Sequence, residues 1–100
     1  MPITIGSYVI VRTYSAGAFA GTIQALDLER RVATLSNARR LWSWAGAASL
    51  SQLAQSGSSR PGECKFPAAV TEVILLEVIE VLAVTAAGQA GIEAVPVWAK

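Results

Sequence analysis

Residues 7–26, SYVIVRTYSAGAFAGTIQAL, constrain the fold more than any other stretch of the chain. Two runs rich in β-branched and aromatic residues flank the small-residue turn at 15–17, which is the signature of an antiparallel hairpin. The two-residue period of a strand puts Tyr8, Ile10 and Arg12 on one face of the first run and Ser7, Val9 and Val11 on the other. Arg12 then emerges beside the turn.

The segments that follow extend the hairpin into a meander. Asp27 marks a second turn, 32–35 forms a third strand, and a tight turn near Asn37 leads into a fourth strand, NARRLWSW. Four short antiparallel strands in succession curl readily into a small barrel. At SLSQLAQSG the period changes. Ser49 and Gln52 have capping-box spacing, Leu50, Leu53 and Ala54 form a helical stripe, and Gly57 suits the stop of a short helix. SGSSRPGE then reads as an exposed polar loop, and KFPAAV as an edge strand, because Pro67 cannot donate to a central ladder.

TEVILLEVIEVLAVT is open to two readings. Thr71, Glu72, Glu77 and Glu80 share one arc of a helical wheel, whereas the Val and Ile content favours a strand. The strand is adopted, with a bulge near Glu77, since strict alternation would place that carboxylate among Val73, Leu75, Ile79 and Val81. Thr85 is the expected N-cap of a second helix, weakened by Gly88 and Gly91 and ended before Pro96, and VPVW closes the chain as an edge segment. One hundred residues suit one core. The expected fold is therefore a single α+β domain over 1–100: a small antiparallel, partly open, SH3-like β-barrel with two short helices.

Composition narrows the function. The chain is 53% hydrophobic and only 15% charged, with a mean hydropathy of +0.47. Ordinary soluble domains carry roughly 25% charge, so apolar surface is left over. No membrane span absorbs it, because the longest uncharged run, 41–59, is broken by Ser, Gln and Gly. The first residues lack the basic start and small-residue cleavage site of a secretory signal. Self-association is the remaining outlet, and a homo-oligomer is expected. A net charge of +1 offers no extended surface for nucleic acid. The single Cys64 reads as a small buried hydrophobe, and it fits a reducing compartment. The chain has no histidine, which removes His-based nucleophile activation and the usual zinc sites. No metal, cofactor or catalytic residue is expected; carboxylate chemistry is all that keeps an enzymatic reading open.

Against this sparse background, SNARRLWSWAG places two arginines and two tryptophans within six positions. On a strand, Arg40, Trp42 and Trp44 share a face and Arg39 takes the other, so the arginines diverge. One reading has the indoles filling the barrel core and the arginine stems covering apolar edges. The other makes the cluster a ligand surface: an indole stacks on a base, and a guanidinium grips phosphate through two parallel hydrogen bonds. The hairpin tip then supplies further donors from Arg12, Tyr14 and Ser15. The candidate ligand-binding set is Arg12, Tyr14, Ser15, Arg39, Arg40, Trp42 and Trp44.

The segments VIVRTYSAG, NARRLWSWAGAASLSQLA, CKFPAAV and EVIEVLAVT with the later VPVW resemble a family of small uncharacterised proteins of tailed bacteriophages and prophages. The resemblance spans nearly the whole chain and departs at Ala83, where the family more often has Pro. It implies a viral source and a setting in the host cytoplasm or the virion, and it brings no activity. Two main expectations follow. The first is an oligomeric protein that captures a small anionic ligand, such as a nucleotide-derived signal of host defence, in pockets shared between subunits. The second is a virion structural or assembly protein with no small-molecule ligand.

Overall fold

The computed structural model describes residues 3–99. Among the described residues, five strands, β1 (Tyr8–Thr13), β2 (Ala18–Asp27), β3 (Val32–Arg40), β4 (Val70–Leu75) and β5 (Val78–Ala83), are accompanied by two helices, α1 (Leu50–Ser56) and α2 (Ala86–Glu93), and a 3-10 turn at Pro61–Glu63. The strands form one antiparallel sheet in the order β4-β3-β2-β1-β5. Its two edge strands are successive in the chain. A flat five-stranded sheet would hold its edges about 19 Å apart, whereas three residues of extended chain span only about 11 Å. The two-residue link between β4 and β5 therefore forces the sheet to curl into a partly open barrel, the α+β architecture expected.

That curl explains the nearly unbroken apolar run of β1. Val9, Val11, Phe19, Ile23, Leu35, Leu75 and Val78 come from all five strands and fill the inside of the curl. Ile10, Ala18 and Ala20 point the other way, into a second core with Leu53, Phe66, Ile92 and Val95 beneath the two helices. A strand buried on both faces has no polar alternation to show.

The helix ends follow the sequence reading. Ser49 Oγ accepts the Gln52 N–H, and Gly57 donates its N–H to the Leu53 carbonyl. The Thr85 hydroxyl accepts the Gly88 N–H at the start of α2 and donates to Gln55 O at the end of α1. Gly88 and Gly91, which weaken α2 as an isolated helix, are where it meets α1. A Cβ on Gly88 would stand 2.0 Å from the Ala54 carbonyl oxygen, and one on Gly91 would stand 2.8 Å from Gly57 Cα. Cys64 is buried in the core under the helices, as expected.

Three expectations are corrected. The third and fourth strands are one strand, β3, that passes through Asn37 without reversing. Asn37 has φ +48° and takes the extra position of a bulge, between the pairs Ala20–Arg39 and Thr22–Ser36. The stretch 71–84 is two strands on opposite edges, because Glu77, at φ +57°, turns the chain where a bulge was expected. KFPAAV contributes no separate edge strand. Lys65 and Phe66 make isolated bridges to Ser43 and Val97, and its last residue begins β4.

Candidate functional site

The β1–β2 turn is fixed by Thr13, a buried residue at the end of β1. Its hydroxyl donates to the Gly17 carbonyl and accepts the Ala16 N–H, both at 2.9 Å. Gly17, at φ +84°, completes the turn in a region that side chains other than Asn and Asp rarely adopt. This rigid tip lies against the end of β3. Ser15, Ala16, Gly17 and Ala18 line one wall of an open cleft of about 370 Å³, and Arg40, Leu41 and Trp42 line the other.

Arg40 is held in place from two sides. Phe19 is its cross-strand partner, and the guanidinium carbon lies 4.3 Å from the Phe19 ring centroid. Nη1 donates to the Ala16 carbonyl at 2.6 Å. Among the described residues the other guanidinium N–H groups of Arg40 make no hydrogen bond, and no carboxylate lies within ion-pair distance. Trp42 follows the strand and is 63% exposed. A fixed cation with free donors thus stands two residues from an exposed indole. This arrangement can bind an anion and stack a flat ring at once.

The structure distributes the other candidates elsewhere. Arg39, whose side chain lies on the opposite face of β3, is 8% exposed as a residue. Its guanidinium donates to the carbonyls of Phe66 at 2.7 Å, Val95 at 2.9 Å, Ile92 at 3.0 Å and Pro67 at 3.1 Å. Burial pushes it below its ordinary pKa, with Tyr8 acting in the opposite sense. Trp44 packs half-buried against the core under the helices and does not share the setting of Trp42, because the strand that would have aligned them ends at Arg40. Arg12 pairs with Glu80 at 3.0 Å. Tyr14 lies on the far side of the tip, beside Glu77 and Arg31. Ser15 reaches both sides, since it lines the cleft and donates through Oγ to Glu77. Of the seven candidates, the structure brings Ser15, Arg40 and Trp42 together.

Sequence reasoning missed Phe19 and the Ala16 carbonyl, which position Arg40. The alternation of β2 was visible, but the register of β2 on β3 was not, and register is what sets Phe19 beneath the guanidinium.

A second polar cleft, of about 490 Å³, is lined by Tyr8, Thr22, Asn37, Arg39 and Glu93 among others. Burial, with a smaller contribution from Glu93 and against the influence of Arg39, pushes the Tyr8 hydroxyl up to about 12. Among the described residues, no three Cys, Asp or Glu side chains gather where they could hold a metal ion. Nor is any helix there long and apolar enough to cross a membrane.

Comparison with curated proteins gives no match, and comparison with solved structures gives none. Residues 6–92, which include every strand and nearly all of α2, match the family described as a domain of unknown function, DUF6948, and the chain belongs to that family.

Proposed function

We propose that this chain is a small binding protein without catalytic turnover, and that it holds an anionic ligand carrying a planar ring, of the nucleotide class, between the hairpin tip and the Arg40–Trp42 segment. The observation that carries this reading is Arg40 itself. A guanidinium fixed over Phe19, with free donors and no carboxylate partner, stands beside an exposed indole at the rim of a cleft. An opening of about 370 Å³ falls within the range of about 300–1,000 Å³ common for small-molecule pockets. In this reading the protein is a homo-oligomer of phage origin that acts in the host cytoplasm. Sequestering a nucleotide-derived defence signal there requires binding alone.

A second reading, a virion structural or assembly protein, is favoured by the exposed apolar side chains Ile74, Leu76 and Ile79 along the barrel edge. The experiment that separates the two is calorimetry with cyclic dinucleotides, ADP-ribose-like compounds and free nucleotides, together with thermal melts. A ligand at 100 times its Kd adds about 2.7 kcal/mol of stability. Binding that Arg40→Lys greatly weakens supports the first reading, because an ammonium lacks the planar two-point grip. If no such compound binds and the protein is a stoichiometric part of purified virions, the second reading takes its place.

A further inference from the structure

At the end of the barrel that carries the β2–β3 turn, two residues other than glycine adopt the left-handed backbone: Arg31 at φ +58° and Glu77 at φ +57°. Their segments are bonded to each other, since the Val78 N–H donates to the Arg31 carbonyl at 3.0 Å. The hairpin tip joins them, because the Tyr14 N–H donates to the Glu77 carbonyl at 3.0 Å. Glycine would hold such a conformation with less strain. Here both positions carry long side chains of opposite charge. Those side chains do not pair with each other, although both line a cleft of about 620 Å³ with Tyr14, Leu76 and Ile79.

Between its charged residues the cleft carries large apolar side chains that nothing among the described residues covers. Tyr14 is 79% exposed and Leu76 61%, and Leu28 and Ile79 are exposed in the adjoining cleft that Arg31 also lines. The charges around the main cleft are balanced, with Arg30 and Arg31 against Glu29 and Glu77. A neutral patch of this kind offers no attraction to nucleic acid or to an anionic lipid surface. It does meet the requirement of a two-fold contact, in which one surface must complement itself.

We propose that this barrel end is the face on which a second copy of the chain docks about a two-fold axis. Arg31 of each copy meets Glu77 of the other, and each projecting Tyr14 enters the opposite cleft. Leu76, Ile79 and Leu28 are covered in the process. This deepens the homo-oligomer part of the function proposed above and does not involve the Arg40–Trp42 wall of the ligand cleft.

The test is sedimentation equilibrium of the full chain at micromolar to high-micromolar concentration, with thermal melts to confirm folding. Wild type is expected to dimerise. Arg31→Glu and Glu77→Arg should each weaken dimerisation by about tenfold or more, and the two combined should recover most of the loss. A wild type that stays monomeric throughout overturns both this face and the homo-oligomer reading. A dimer left unchanged by the single reversals, or a double variant no tighter than the singles, overturns the face alone. Should Glu77→Arg melt below the assay temperature, Leu76→Asp serves instead: a monomer supports the face, and an undiminished dimer overturns it.

Discussion

Arg39 and Arg40 stand side by side on β3 and send their guanidinium groups to opposite faces of the sheet, the first into a cage of backbone carbonyls and the second onto the ring of Phe19. The pleat of the strand makes this division. Arg39 fastens β3 to Phe66 and Pro67 and to the end of α2, where a cation meets the negative pole of the helix. Its removal takes the side-chain donor from the Val95 and Pro67 carbonyls, while the Phe66 and Ile92 carbonyls keep the backbone N–H groups of Trp98 and Val95. Arg39→Ala is expected to destabilise the fold by about 3–5 kcal/mol. Arg39→Lys should recover less than half of that, because an ammonium cannot reach carbonyls on both sides of a planar fork. Urea unfolding measures both, and a cost under about 1 kcal/mol for Arg39→Ala would contradict the cage.

Trp42 and Trp44 should separate by experiment just as their surroundings do. Trp42→Ala removes an exposed side chain and should leave stability within about 0.5 kcal/mol of wild type while weakening ligand binding. Trp44→Ala opens a half-filled site beside the helix-side core and should cost about 2 kcal/mol, roughly half the cost of a fully buried aromatic. Equal melting temperatures for the two variants would contradict this assignment.

The limits of the sequence reading lie at two left-handed residues, Asn37 and Glu77. Asn37 favours φ above zero in tight turns and in bulges alike, so its identity marks a local irregularity without saying whether the chain reverses. That the chain continues depends on the partner strand, where Gly21 admits the bulge closely: a Cβ there would stand 3.0 Å from Ser36 O and Ala38 Cα. Glu77 was legible as the place where alternation fails. That it parts two edge strands depends on the curl of the whole sheet. Helix caps were legible because Ser49 and Thr85 act within three residues of themselves. The candidate site was legible in its chemistry, Arg40 and Trp42, and hidden in its support, Phe19, since support across strands depends on register.

The closeness of α1 and α2 gives a third prediction. Gly88 faces the Ala54 carbonyl, and a methyl group there would overlap main-chain atoms that cannot swing aside as a flexible side chain could. Gly88→Ala raises the intrinsic helix propensity of α2 by about 1 kcal/mol, so an isolated α2 peptide should become more helical. In the folded protein the same change should destabilise by about 3 kcal/mol or more, because the helices must part. Opposite signs in peptide and protein are the expected outcome, and a stabilised protein would show that the helices do not meet at Gly88.

The Tyr8 hydroxyl gives a stability effect confined to alkaline solution. Burial is the main cause that raises it from 10.0 to about 12, so the folded chain keeps this proton where the unfolded chain has lost it. Between about pH 10 and 12 the unfolded state therefore binds fewer protons at this residue than the folded state does. Stability falls with rising pH across that window and levels off above it. Below pH 10 the contribution of Tyr8 is fully present and independent of pH. Tyr8→Phe cannot ionise and should lose this part of the alkaline decline. The difference between wild-type and Tyr8→Phe unfolding free energies, measured by urea titration from pH 9 to 12, cancels the other groups that titrate there. It should shift steadily in favour of the variant above pH 10, and a flat difference across the window would show that Tyr8 ionises as easily in the folded chain as in the unfolded one.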